Sequence, residues 1–262
     1  MDLGDYSAAF EKFNEVTRFG DVDNRKPITR FRISESLAEM LWMNELFGIN
    51  WESTKLLENA VFMIAFDNKY NQTNELWNWT SSLNYQVEPA AWYIDHFREH
   101  AYSIEGAFDY RFYSLLNLNE SIDRTYAISK YLEDDRPLIM MRTARIELLK
   151  AYCLNVQNNQ SSALTQIRRV RQRIDVPQLN DAEMPSDKSE ALLWLEDKIL
   201  DELAYETGFE GHRWFDIMRV AKRRNDPAYL ANMVAQKYPD ELREKIRNRL
   251  LDEQNWYIPV FE

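Results

Sequence analysis

A single cysteine, Cys153, among 262 residues excludes an intrachain disulfide and any metal site built on paired thiolates. It sits in the apolar run Leu148-Leu149-Lys150-Ala151-Tyr152-Cys153-Leu154, where packing is its expected role. Glycine is scarce, at 6 residues, and neither a Gly-rich phosphate loop nor a G-x-S-x-G elbow occurs. Basic charge is in short supply too: 32 Lys and Arg stand against 43 Asp and Glu, a net charge of −11. Binding to a phosphate backbone needs clustered cations, so nucleic acid is excluded as a partner. The one basic-looking run, Arg168 to Arg173, reads as the solvated face of a helix. No apolar run approaches the ~18 residues that a membrane-spanning helix needs. The opening Met1-Asp2-Leu3-Gly4-Asp5 has neither the basic nor the apolar region of an export signal. The chain is therefore expected to be either cytoplasmic or a piece of something longer.

Apolar residues make up 45% of the chain and aromatic ones 13%, enough core material for one large domain or two small ones. Gly4, Tyr6, Ala9 and Phe13 follow the G-x-Y-x-x-A-x-x-x-F spacing of the second helix of a tetratricopeptide-type hairpin, with Phe10 on the same face. The first helix of such a hairpin has no counterpart upstream, and an unpartnered apolar stripe points to truncation. Ser34 to Phe47 reads as a helix capped by Ser34 and closed by Gly48. Ala60 to Phe66 reads as a short buried strand. Residues 67–135 are the least regular part, with one short helix expected from Pro89 to Ala101. A second hairpin is expected from Leu138–Val156 and Ser161–Ile174, turning at Asn158-Asn159-Gln160 and stopped by Pro177. Ser189 can cap a long helix carrying Leu192, Leu195, Ile199, Leu200 and Leu203. Helices near 227–237 and 239–252 follow, and Trp256 to Val260 ends the chain as an extended segment. The class is mainly α, with long irregular loops and a few short strands.

The densest block is Phe209-Glu210-Gly211-His212-Arg213-Trp214-Phe215-Asp216, followed by Ile217, Met218 and Arg219. It resembles the C-terminal signature of the SusD/RagB family of outer-membrane nutrient-binding lipoproteins, a variant of E-L-A-F-E-G-x-R-W-F-D-L-x-R. Other pieces follow in family order. Glu58 to Phe66 is similar to an E-x-I-F-x-I-x-F strand, and Glu88-Pro89 with Phe97, Asp109 and Arg111 to a P…F…D-x-R stretch. Arg142-Thr143-Ala144 with Leu148 is similar to R-x-A-E-x-x-L, Val170-Arg171-x-Arg173 to V-R-x-R, and Trp256-Tyr257-Ile258-Pro259-Val260-x-Glu262 to the closing Y-L-P-I-P-x-E. The chain departs from the pattern at Arg145 (usually Glu), at Leu203 (usually Arg) and at Thr207-Gly208 (usually Leu-Ala).

The resemblance implies a SusD-like α-α superhelix, here its C-terminal portion as a single domain over 1–262. Within it, 1–66 and 136–176 would be hairpin elements, 67–135 the ligand loops and 186–262 the C-terminal helices. It also implies a surface protein that delivers oligosaccharide or polysaccharide to a SusC-like TonB-dependent transporter. Membrane attachment would run through a lipid anchor not contained in this chain. Capture of peptides, as in RagB-like proteins, and a protein–protein scaffold without a small ligand are the alternatives.

The signature admits a catalytic reading, with Glu210, His212 and Asp216 as acid, base and orienter. It also admits a packed elbow, with Glu210–Arg213 and Asp216–Arg213 or Asp216–Arg219 pairs and with Trp214 and Phe215 buried. Helix-spaced pairs beside aromatics favour the elbow. Glu210, Gly211, Arg213, Trp214, Phe215 and Asp216 are thus assigned structural roles, and no catalytic residue is assigned. His96 and His100 lie four apart on one helix face, but no third ligand is identifiable and Arg98 disfavours a cation, so no metal or cofactor is expected. Ligand binding is expected instead at Tyr70, Asn74, Trp77, Asn78, Trp79 and Tyr85. Sugars present apolar C–H faces and hydroxyls, which aromatic plates and amides on loops can meet.

Overall fold

A computed structural model describes residues 4–19, 60–64, 66, 68–80, 86–103, 108–119, 125–131, 138–173 and 176–257. Both the helix expected at Ser34 to Phe47 and Tyr85 fall outside them. The described elements are α1 (Tyr6–Phe19), β1 (Ala60–Ile64), α2 (Glu75–Thr80), α3 (Ala91–Tyr102), α4 (Arg111–Leu115), β2 (Leu116–Asn119), β3 (Thr125–Ile128) and β4 (Leu138–Arg142). They continue as α5 (Thr143–Val156), α6 (Gln160–Arg173), α7 (Lys188–Thr207), α8 (Arg213–Arg224), α9 (Pro227–Ala235) and α10 (Asp240–Leu250). The fold is mainly helical, and the described strands form two separate antiparallel ribbons, β1–β4 and β2–β3.

The organising element is α5. Every residue from Thr143 to Asn155 is buried, because α1 lies along one side of the helix and α6 and α7 along others. A helix with no solvent face shows no amphipathic stripe. Leu148, Ala151 and Tyr152 of α5 meet Ala163 and Ile167 of α6 and Leu195, Ile199 and Leu203 of α7. Tyr6 and Phe10 of α1 close this core, with the Tyr6 and Tyr152 ring centres 6.0 Å apart. The expected hairpin is present as α5 and α6. Asn158, at φ 59°, takes the left-handed conformation that lets the chain reverse, and Asn159 Oδ1 accepts from Ser162 N.

Several sequence expectations are corrected. Leu138 to Arg142 is a strand, pairing with β1, so the helix starts only at Thr143. β1 is exposed where a buried strand was expected, with Val61 45%, Phe62 59% and Ile64 42% accessible, since its one described partner is β4. The long helix α7 is capped by Asp187, whose Oδ1 accepts from Ser189 N and Glu190 N, not by Ser189. The span 67–135 carries α2, α3, α4 and the β2–β3 ribbon, which is more order than its composition implied. Trp256, expected to begin an extended segment, instead closes a 3-10 turn over Glu253–Trp256 and is buried with its Nε1 donating to Leu250 O, while residues 258–260 lie outside the described residues. Arg171 also leaves the solvated face assigned to it. It is buried and pairs with Glu202 of α7.

Candidate functional site

The amide-aromatic segment begins as a capped helix. Asn74 is 1% exposed and its Oδ1 accepts from Leu76 N at 3.1 Å, so the side chain expected to read hydroxyls serves instead to start α2. Asn78 is exposed and donates to Glu75 Oε2 at 3.1 Å. Positions two apart on a helix do not share a face, so α2 turns Trp77 and Trp79 in different directions. Trp79 is 43% exposed and Tyr70 75%, whereas Trp77 is half-buried. Trp79 O also accepts from Gln86 N and Val87 N, which ties the plate to the following segment.

A second aromatic surface escaped sequence reading. Tyr102 at the end of α3 and Tyr110 and Tyr113 at α4 are 43–60% exposed around a half-buried Phe108. Phe108 lies 4.9, 5.2 and 5.0 Å from the Tyr102, Tyr110 and Tyr113 rings, and the Tyr102 and Tyr113 hydroxyls are hydrogen-bonded to each other. These residues are scattered in sequence and gather only because α4 folds back on α3.

The signature forms the corner between α7 and α8. Gly211, at φ 80°, turns the chain, and α8 begins at Arg213. Glu210 therefore lies before the helix and cannot reach Arg213. Instead it is buried against Lys130 and Arg142, with Arg142 Nε donating to its Oε1 at 2.9 Å. Burial alone would raise the Glu210 pKa, but Arg142 and Lys130 outweigh it and hold the carboxyl below its usual value. Arg142 also pairs with Glu206, which Arg111 reaches at 3.2 Å. Arg111 further holds Glu202 at 2.7 Å and Asp109 at 2.7 Å. This buried chain of alternating charges ties β4 and α4 to α7.

Asp216 is held by Arg145 through two bonds of 2.9 and 2.7 Å and by Arg219 at 3.1 Å. The Asp216–Arg219 pair is as expected. The principal partner is Arg145, one of the departures from the signature pattern. Trp214 is half-buried and Phe215 is 55% exposed, so the expected burial of both rings is not observed. His212 bonds neither carboxylate. Its Nε2 has no hydrogen-bond partner, and burial, with the Arg145 charge, holds its pKa below the usual value. Glu210 and Asp216 are spent on arginines and lysine, which leaves the acid–base–orienter arrangement unconnected. His96 and His100 likewise turn to carboxylates, Asp201 at 3.3 Å and Asp109 at 3.1 Å, and stack on Tyr205. Among the described residues, no group of three or more His, Cys, Asp or Glu could hold a metal ion. Cys153 is buried, and its thiol is pushed up to about 11 by burial.

Beside this corner lies a cavity of about 370 Å³, walled by Trp92, Tyr93, Phe209, His212, Arg213 and Trp214. Gly208 borders it where the backbone passes close to α3. A Cβ there would sit 2.5 Å from Tyr93 Oη and 3.1 Å from Ala204 O, while Tyr93 Oη donates to that same carbonyl at 3.0 Å. Gly208→Ala is therefore expected to destabilise by about 1–3 kcal/mol through overpacking, read as a lower denaturant midpoint with an unchanged slope. A neutral result would show that Tyr93 has room to move.

Residues 61–262 match the model of the SusD family. The chain belongs to this family. A SusD-like protein of Formosa agariphila is 32% identical over 126 residues, 44% of this chain and 24% of that protein. The fold matches a SusD-superfamily crystal structure from Bacteroides thetaiotaomicron with a TM-score of 0.60 at 13% identity, covering 90% of this chain and 50% of the other. A second, from Bacteroides vulgatus, matches at 0.57 and 15% identity, covering 91% and 53%. The chain thus spans about half the length of these solved structures. Proteins of the SusD family are non-catalytic binding proteins. They generally act at the outer-membrane surface as nutrient-binding partners of TonB-dependent transporters.

Proposed function

We propose that this chain is part of a surface protein that captures glycan and passes it to a SusC-like TonB-dependent transporter, anchored through a lipid carried outside this chain. The observation that carries the glycan reading is the set of exposed aromatic plates on a helical frame: Trp79 and Tyr70 on one segment, and Tyr102, Tyr110 and Tyr113 around Phe108 on another. Flat rings left open to water, with hydroxyl or amide groups at their edges, suit pyranose faces. In this reading Asn78 supplies an amide on the helix of Trp79, Asn74 starts that helix, and Trp77, which α2 turns away from Trp79, and Tyr85 are proposed as separate ligand contacts.

Calorimetry against a panel of neutral oligosaccharides tests the proposal. Trp79→Ala or Tyr113→Ala is expected to weaken binding by roughly 1–3 kcal/mol, and affinity should change little with salt, because the contacts are neutral. If both variants bind glycan like the parent protein, neither surface is the capture site. Binding of peptides in place of every glycan would favour the peptide-capture alternative.

A further inference from the structure

We propose that the cavity beside the signature corner binds an acidic sugar residue, with its carboxylate held by Arg213 and Lys237 and its ring against the Trp92 and Trp214 indoles. The inference rests on the glycan reading above and adds to it a second site and a charge class.

The two cations carry the argument. The other buried or half-buried arginines near this corner have carboxylate partners: Arg111, Arg142, Arg145, Arg171 and Arg219. Arg213 has none among the described residues, and its Nη1 donates only to Leu200 O, at 2.6 Å. Lys237, exposed at the mouth of the cavity, has no ion-pair or hydrogen-bond partner for its ammonium among them either. In a chain with 43 acidic residues against 32 basic ones, two cations on one cavity that pair with no described carboxylate are unusual. The surrounding protein and the Arg213 charge both lower the Lys237 pKa, so the two feel each other and an anion between them relieves the repulsion.

The remaining lining agrees. His212 is the N-cap of α8 without a side-chain cap bond, and its Nε2 is secluded with no partner. The positive end of the α8 dipole thus lies at the cavity wall, where His212 and Arg213 both line it. Trp92 is held flat against His96, ring centres 5.0 Å apart and planes 9° apart, which fixes one wall. Glu88, exposed at the rim, is the one carboxylate among the described residues that line the cavity and can accept sugar hydroxyls. Leu203 and Thr207 of α7 and Gly208 at its C-cap, departures from the family pattern, all border the cavity. A volume of about 370 Å³ lies at the small end of small-molecule sites, suiting a terminal sugar unit better than an extended peptide.

Calorimetry on the whole chain decides this, with oligogalacturonate and oligoglucuronate as acidic probes, neutral galactan oligosaccharides of equal length and short peptides with free C-termini. The acidic probes are expected to bind more tightly than the neutral ones and to weaken as salt rises. Lys237→Met should lower acidic affinity about tenfold or more, the value of one charged hydrogen bond, and leave neutral binding unchanged. Lys237 has no partner to lose among the described residues, and circular dichroism checks the fold of both Lys237→Met and Arg213→Met. Equal acidic binding by parent and both folded variants overturns the site. So does a preference for the peptides, or equal affinity for acidic and neutral sugars. If neutral glycans bind at the aromatic plates and acidic ones bind no better, only this inference falls. If no glycan binds at all, the capture reading falls with it.

Discussion

Arg111→Leu is expected to cost about 3–5 kcal/mol of stability, a large share of the roughly 5–15 kcal/mol that holds a typical domain folded. Arg111 is 2% exposed and is the counter-charge for Asp109, Glu202 and Glu206, which are 0%, 2% and 0% exposed. Without the guanidinium these carboxylates remain buried beside one another. Arg142 still faces Glu206 and Arg171 still faces Glu202, but Asp109 keeps only His100 and a backbone N–H. Guanidinium unfolding of parent and variant measures the loss, and a change below about 1 kcal/mol, the range of surface pairs, would show that the network is not the tie between α4 and α7. The same residues set the acid limb. Burial alone would raise the Asp109 pKa, but Arg111 and His100 bring it well below the ordinary 3.8. A depressed carboxyl contributes stability above its unfolded pKa and loses it as pH falls through the folded one. Stability should therefore decline below about pH 4, and less steeply in Asp109→Asn.

Asp216→Ala is expected to cost a comparable ~3–5 kcal/mol, by stranding Arg145. Both Arg145 terminal nitrogens go to Asp216, its Nε has no partner, and its side chain is buried within α5. Adding Arg145→Met should recover part of the loss, because an apolar pair of similar volume has no charge to desolvate. Denaturant midpoints of the two singles and the double close the cycle. If the double mutant is as unstable as the sum of the singles, the pair is not coupled and Asp216 acts through the start of α8 instead.

Much of the frame was legible because it is local. The α5–α6 turn at Asn158, the presence of the long helix α7 and the separation of the last two helices at Pro239 follow from periodicity and turn chemistry within a few residues. What failed also has a local cause. α5 is buried on all sides, so its hydrophobic pattern does not report its start, and the strand Leu138–Arg142 was absorbed into it. The motif pieces Asp109-x-Arg111 and Arg142-Thr143-Ala144 marked the network in sequence, but not its pairing. Their partners lie on α7, between 60 and 100 positions away.

The signature shows where the two kinds of information divide. Composition and spacing alone set the mainly helical class, the single buried cysteine and the acidic balance of charge. Each depends on a residue's own chemistry or its near neighbours. Which carboxylate meets which arginine, which of two tryptophans faces water, and whether Arg213 finds a partner depend on how separate elements pack. Charge pairing is a matter of distance in space, and sequence distance does not measure it. Tertiary structure therefore moved Glu210 from Arg213 to Arg142, buried Asn74, exposed Phe215 and brought Tyr102, Tyr110 and Tyr113 together.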